Sequence, residues 1–309
     1  MKASILKKDF YRRICIYLKE MFPPRNMVFG LLFFMSAWCG IALLDHSRND
    51  ILLPPGHIFL SGAFTISLML LLLRIMDELK DLETDLLHFP KRPIPRGAVH
   101  SSDLKSFGLF IVGVLFILNM FFTHATFIFF IVFGYACLMF KYFFLKELIS
   151  KNIMIALATH NPISYLFFFY VFFVYKNNMT ASIQMKPVIL LGTVFFCISM
   201  SWEIARKIRY PEDETTYQTY SKVLGLGTAI LILMIPISIS LFVIIYLYHN
   251  IFSRFTLCYV IVVYLFVMTT FLRFYKKQKI MFGLKTTMEI FIVNVQSILV
   301  FEGIVAICR

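Results

Sequence analysis

Acidic residues are scarce in this 309-residue chain: 17 Asp and Glu stand against 30 Lys and Arg, and charged residues of both signs make up only 15% of it. Soluble domains carry about a quarter of their residues as charges, so that class is excluded. The six cysteines (Cys15, Cys39, Cys137, Cys197, Cys258, Cys308) contain no CxxC pair. A cysteine-built zinc or redox centre is therefore not expected, and these side chains read as small apolar residues. Residues 1–22 lack a signal-peptide pattern, because basic residues run through the whole segment and no uninterrupted apolar core follows until Met27.

What is present is apolar surface. The chain is 60% hydrophobic with a mean hydropathy of +0.80, the composition of a polytopic membrane protein. Runs long enough to cross about 30 Å of hydrocarbon lie at Met27 to Leu44, Ile58 to Met76, Leu104 to Phe122, Ala125 to Leu145, Ile153 to Tyr175, Val188 to Ala205, Leu226 to Leu247, Phe255 to Phe274 and Thr287 to Ile307. These predict nine transmembrane helices. If they alternate, only Arg48, Lys176, Lys186, Arg254 and Arg309 fall on one side, and the other 25 Lys and Arg fall opposite. The positive-inside rule then puts the N-terminus in the cytoplasm and the C-terminus outside. The net charge of +13 reports this topology and contact with anionic membrane lipid, and it gives no reason to invoke nucleic acid.

Ahead of the first run, Leu6, Phe10, Ile14, Leu18 and Met21 recur at helical spacing among Lys7, Lys8, Arg12, Arg13 and Lys19. Residues 1–22 are thus expected to form an amphipathic interfacial helix, and residues 23–309 the transmembrane domain. The outer connections are short and plain, while the inner ones are long and carry the charge.

The most heavily loaded stretch is Arg74 to Gly97, RIMDELKDLETDLLHFPKRPIPRG. In a continuous helix turning about 100° per residue, Asp77, Asp81, Asp85 and Glu78 fall within about 100° of one another. Such a face repels itself unless a cation neutralises it. Hard oxygen ligands suit Mg²⁺, which takes one or two carboxylates and completes its shell with water and substrate phosphate. A charged helix end lying in the headgroup layer is the other reading. His88-Phe-Pro90 breaks the helix, and Lys91-Arg-Pro-Ile-Pro-Arg-Gly97 supplies a basic, turn-prone loop.

Further along, Lys141, Tyr142 and Lys146 are placed either to reach a phosphate or to snorkel toward headgroups. His160-Asn161-Pro162 lies within the fifth run, as a hydrogen-bonded pair or as a substrate contact. At the end of the sixth run, Glu203 shares a helix face with Lys207 and Arg206, while Arg209 points away. This second charged cluster comes four runs after the first, a spacing that resembles duplication of a short helical unit. Glu289, Asn294, Gln296 and Glu302 in the last run are polar enough to face the bundle.

Asp77-Glu78-Leu-Lys-Asp81-Leu-Glu-Thr-Asp85 followed by Arg92-Pro-Ile-Pro-Arg-Gly97 resembles the first motif of the UbiA superfamily of intramembrane prenyltransferases, NDxxDxxxD and RPxxxG. Asp stands in place of the Asn and Glu in place of the first Asp. Thr219-Tyr-Ser-Lys-Val-Leu-Gly225 is similar to the family segment that opens the seventh span. The second motif, usually DxxxD or DxxDxxxD, keeps only Glu203.

The resemblance implies an all-α integral membrane fold of nine helices with a central cavity open to the cytoplasmic side, in a bacterial inner membrane. It implies Mg²⁺-dependent transfer of a prenyl group from a prenyl diphosphate to an aromatic or other lipophilic acceptor. Asp77, Glu78, Asp81 and Asp85 would hold metal, Arg92, Lys146, Arg206 and Lys207 the diphosphate, and Asp81, Asp85 and Glu203 would be catalytic. A terpene cyclase of the same fold, acting without acceptor, is the nearest alternative, and a non-enzymatic lipid binder or transporter is a further one. Transport is disfavoured because acids are nearly absent from the outer halves of the runs, Glu302 excepted.

Overall fold

Long apolar runs leave the backbone no polar partner but itself, and the chain answers with helices. The structure, a computed structural model, describes residues 2–45, 53–179 and 183–308. Arg48 and Arg309 of the charge count and the Leu6 side chain of the amphipathic stripe lie outside the described residues. Among the described residues eight helices are long and apolar enough to cross a membrane, and the chain divides into two compact units.

The first unit comprises residues 1–34 and 55–144. It holds α1 (Lys2–Met21), the first half of α2 (Pro24–Leu44), α3 (Gly56–Lys80), α4 (Leu82–His88), α5 (Ser101–Phe121) and α6 (Thr126–Phe140). Small residues let α2 approach α3 closely. A Cβ on Gly30 would collide with the Ser67 hydroxyl, which itself donates to the Met27 carbonyl at 3.1 Å. Buried Asn119 of α5 donates to Thr65 of α3 at 3.0 Å and to the Leu115 carbonyl at 2.8 Å.

Helix α1 is tied into this unit. Arg13 grips Asp103 at the start of α5 through two bonds of 2.6 and 3.0 Å, and Ile14 and Tyr17 are buried. Asp103 also accepts from the His100 amide, capping α5.

The fourth predicted span is cut short. Helix α6 has 15 residues, about 22 Å at 1.5 Å per residue, against roughly 30 Å of hydrocarbon. It stops because Tyr142, Phe143 and Phe144 take left-handed φ of 50°, 51° and 62°. None of the three is a glycine, so the turn is strained. Among the described residues there are therefore eight candidate spans, one of them the interrupted helix Ile153–Asn178, and one short apolar helix, where nine long ones were expected.

The second unit, residues 35–54 and 145–309, holds the other half of α2 with α7 (Lys146–Lys151), α8 (Ile153–His160), α9 (Pro162–Asn178), α10 (Met185–Ala205), α11 (Tyr220–Leu224), α12 (Leu226–Tyr248), α13 (Arg254–Tyr275) and α14 (Leu284–Ile307). Helix α10 packs along α9, α12 and α14. Trp38 meets Tyr175 edge to face at 4.9 Å, and the Tyr175 hydroxyl donates to Asp45 at 3.0 Å. Pro162, lacking an N–H, separates α8 from α9 at Asn161, whose side chain donates to the Phe196 carbonyl. In α14 the Glu302 carboxylate accepts from the Thr256 hydroxyl and Asn294 from Tyr259.

Candidate functional site

The stretch from Arg74 onward does not form one uninterrupted helix. Helix α3 ends at Lys80, Asp81 takes φ −101° and ψ 17°, and α4 starts at Leu82. The Asp81 amide still bonds the Asp77 carbonyl at 3.0 Å and the Asp85 amide bonds that of Asp81 at 2.9 Å. The chain thus keeps its course through the break; Arg92 reaches both Glu78 and Asp85, while Asp77 and Asp81 take other partners.

Asp77 is 47% exposed and pairs with Lys80 at 2.9 Å. Glu78 is 1% exposed. One of its oxygens, Oε1, accepts from Arg74 and has the Arg92 guanidinium at 3.6 Å; the other, Oε2, is buried without a hydrogen-bond partner among the described residues. Asp81 accepts from the Tyr142 hydroxyl, which the left-handed segment after α6 aims at it. Buried Asp85 receives Arg92 Nη1 at 2.6 Å on both oxygens.

Arg92 is held in turn by its loop. Its guanidinium lies over the Phe89 ring at 4.1 Å, a cation–π contact. The Pro93 carbonyl collects the amides of Ala98 and Val99, and Gly97 at φ +76° makes the turn that a side chain would resist. Arg96 closes the loop onto Glu20 of α1 at 2.7 and 2.9 Å.

Burial pushes the Asp81 carboxyl above the usual carboxylate range, and the Tyr142 hydrogen bond opposes that shift. The Tyr142 phenol is raised, by burial first and by its bond to Asp81 second. Lys80 lies over the Tyr142 ring at 4.9 Å.

As the side chains stand, no group of three or more His, Cys, Asp and Glu among the described residues is placed to hold a metal ion. Mg²⁺ requires fewer protein ligands than that. Glu78 Oε2 is a buried carboxylate oxygen with no donor among the described residues, and it fits a hard divalent cation.

The second cluster lies in the other unit. Glu203 receives Arg206 at 2.5 and 2.8 Å and Lys207 at 3.0 Å, so both its oxygens are taken by cations. Helix α10 ends at Ala205, and the Lys207 carbonyl accepts from the Tyr220 amide at 2.9 Å. Arg209 turns elsewhere: its side chain donates to Thr215 and its amide to the Ser221 hydroxyl. Within the TYSKVLG segment the Thr219 hydroxyl accepts from the Lys222 amide, capping α11, while donating to Glu214. Lys146 stands exposed at the start of α7, and no ion pair among the described residues includes it.

Sequence reasoning missed Tyr17, Phe89 and the Tyr142–Asp81 bond. Arg13, Tyr17 and Glu20 fall within about 60° on one helix face; that spacing was the available signal for Tyr17.

An all-helical, multi-pass integral membrane protein, with acids and arginines paired beside a helix end, is the class these observations define. The chain belongs to the UbiA prenyltransferase family, whose model it matches over residues 32–286. A comparison with curated proteins finds no match. Among solved structures, that of a digeranylgeranylglyceryl phosphate synthase in membranes is similar at 15% identity and TM-score 0.58, covering 96% of this chain and 99% of that one. A UbiA homologue from Archaeoglobus fulgidus bound to DMAPP and Mg²⁺ is similar at 12% identity and TM-score 0.54, covering 94% and 99%. Its structure bound to GPP and Mg²⁺ gives 13% and 0.56, covering 95% and 99%. At these identities the likeness concerns the fold.

Proposed function

We propose that this protein transfers a prenyl group from an isoprenoid diphosphate to an aromatic or other lipophilic acceptor within the membrane, with Mg²⁺ as cofactor. The carrying observation is Glu78, whose Oε1 faces Arg74 and Arg92 while its Oε2 is buried without a hydrogen-bond partner among the described residues. Binding of DMAPP or GPP with Mg²⁺ by the Archaeoglobus fulgidus homologue supports the same reading.

Glu78, Asp81 and Asp85 would hold the ion, with Asp77 at the rim. When bound, Mg²⁺ supplies positive charge that favours departure of diphosphate. The protein's own part is positional. Tyr142 fixes the Asp81 carboxylate, the Phe89 ring packs against the Arg92 guanidinium, and Arg92 would donate to diphosphate oxygens, a role proposed also for Lys146, Arg206 and Lys207. Transfer breaks the donor C1–O bond, the diphosphate leaves with the electron pair, and the acceptor supplies the pair for the new bond and then loses a proton. Apolar surroundings keep water from the allylic cation.

The test is product analysis on the purified protein with a panel of prenyl diphosphates, with and without aromatic acceptors, in Mg²⁺ or in excess chelator. Donor consumption only with acceptor and metal together is expected. Ring products without acceptor would assign cyclisation instead, and intact donor under every condition would overturn both.

The proposal carries nine crossings with a cytoplasmic N-terminus. A reporter fused after Arg309 is then expected to be active only outside the cytoplasm. A cytoplasmic signal would mean that the short helix α6 fails to cross and that eight spans do.

A further inference from the structure

We infer that the Tyr17 hydroxyl is a substrate-side hydrogen-bond donor of the Glu78 site, brought there by the N-terminal helix and aimed at a diphosphate oxygen. The inference rests on the proposed function and adds to it a residue outside both sequence motifs and outside residues 32–286 of the family match.

Tyr17 is 0% exposed, and its hydroxyl has no hydrogen-bond partner among the described residues. A buried phenol normally finds one, because the unmade bond costs the full desolvation of the group. The charges that bear on it are those of Arg74, Glu78, Asp77 and Arg92, all in the first unit. Glu78 Oε2 is buried and unpartnered in the same cluster. One orphan there is a donor and the other an acceptor. They do not bond to each other, and a ligand presenting both an anionic oxygen and a cation satisfies both. A magnesium diphosphate has that chemistry.

The placement is built and not a loose helix end. Arg13, one turn before Tyr17, is fixed on Asp103 at 2.6 Å. Glu20, three residues after it, is fixed by Arg96 of the basic loop at 2.7 Å. Both fall on the Tyr17 face of α1, so the hydroxyl is held from each side. Burial raises the phenol well above its ordinary range, so Tyr17 enters as a neutral donor and not as a base.

The experiment compares wild type with Tyr17→Phe, which keeps the ring and removes the oxygen. Two quantities are read in neutral detergent: the Kd for an unreactive prenyl thiolodiphosphate with Mg²⁺, and the Tm without ligand. The expected result is a Kd weakened by roughly tenfold or more, as for loss of a hydrogen bond to a charged partner, with a ligand-free Tm equal to or above wild type. An unchanged Kd overturns the inference and leaves the proposed function standing. A lowered ligand-free Tm overturns it too, because the hydroxyl would then be bonded within the fold. If wild type itself fails to bind the analogue with Mg²⁺, the functional reading falls and the inference with it.

Discussion

Glu78→Gln is expected to leave the protein folded in the membrane while lowering turnover by about 10²- to 10³-fold, the usual consequence of removing one preorganised electrostatic group. The amide nearly matches the carboxylate in shape and can still accept from Arg74, whose side chain is in any case part exposed. What it loses is the charge on Oε2, a buried carboxylate oxygen without a donor among the described residues. Asp81→Ala and Asp85→Ala are expected to abolish turnover. In these variants Tyr142 loses its acceptor and Arg92 its main carboxylate, so the loop and the left-handed segment lose their aim as well. A Mg²⁺ titration of turnover, with size-exclusion profiles as the folding check, reads all three. Full turnover by Glu78→Gln, or by wild type in excess chelator, would overturn the metal reading.

Much of this site was legible in the sequence, because charge beside an apolar run is conspicuous and the spacing of acids and arginines survives folding. Arg206 and Lys207 meet Glu203, as helical angles require for positions three and four residues apart. Other features left no local mark. The break at Asp81 falls in a stretch free of glycine and proline from Arg74 to His88. The three left-handed aromatics that shorten α6 carry none of the usual turn residues either. In both places tertiary contact overrides propensity, and both bear on the same hydrogen bond, Tyr142 to Asp81. The N-terminal helix was legible as amphipathic but not in its direction. Its apolar stripe pointed to the membrane surface, while the ion pairs of Arg13 and Glu20, which involve residues 90 and 76 positions away, turn Tyr17 inward. Strain of this kind persists where surrounding structure imposes it, commonly at functional sites.

Simultaneous loss of Arg206 and Lys207 is expected to weaken prenyl diphosphate binding and turnover together, by about 10²- to 10⁴-fold if each cation contributes one charge-assisted bond. Glu203 is the only acid retained from the family's second motif, and both its oxygens are committed to these two cations. A metal there would meet one carboxylate already neutralised and two like charges, so we expect the cations themselves to stabilise the departing diphosphate, with Glu203 orienting them. The Arg206→Ala, Lys207→Ala variant also uncovers the Glu203 charge, which alone would repel an anion. Adding Glu203→Gln to it separates the two effects: if the missing cations are responsible, the triple variant stays as weak as the double. Lys207→Asp is the sharper test, since it places an acid four residues from Glu203 and regenerates the spacing of a DxxxD motif. On the fixed-cation account it remains as impaired as Lys207→Ala at any Mg²⁺ concentration. Recovery of turnover in Lys207→Asp as Mg²⁺ is raised would assign this cluster to a second metal ion, and so would a donor-bound structure with an ion on Glu203.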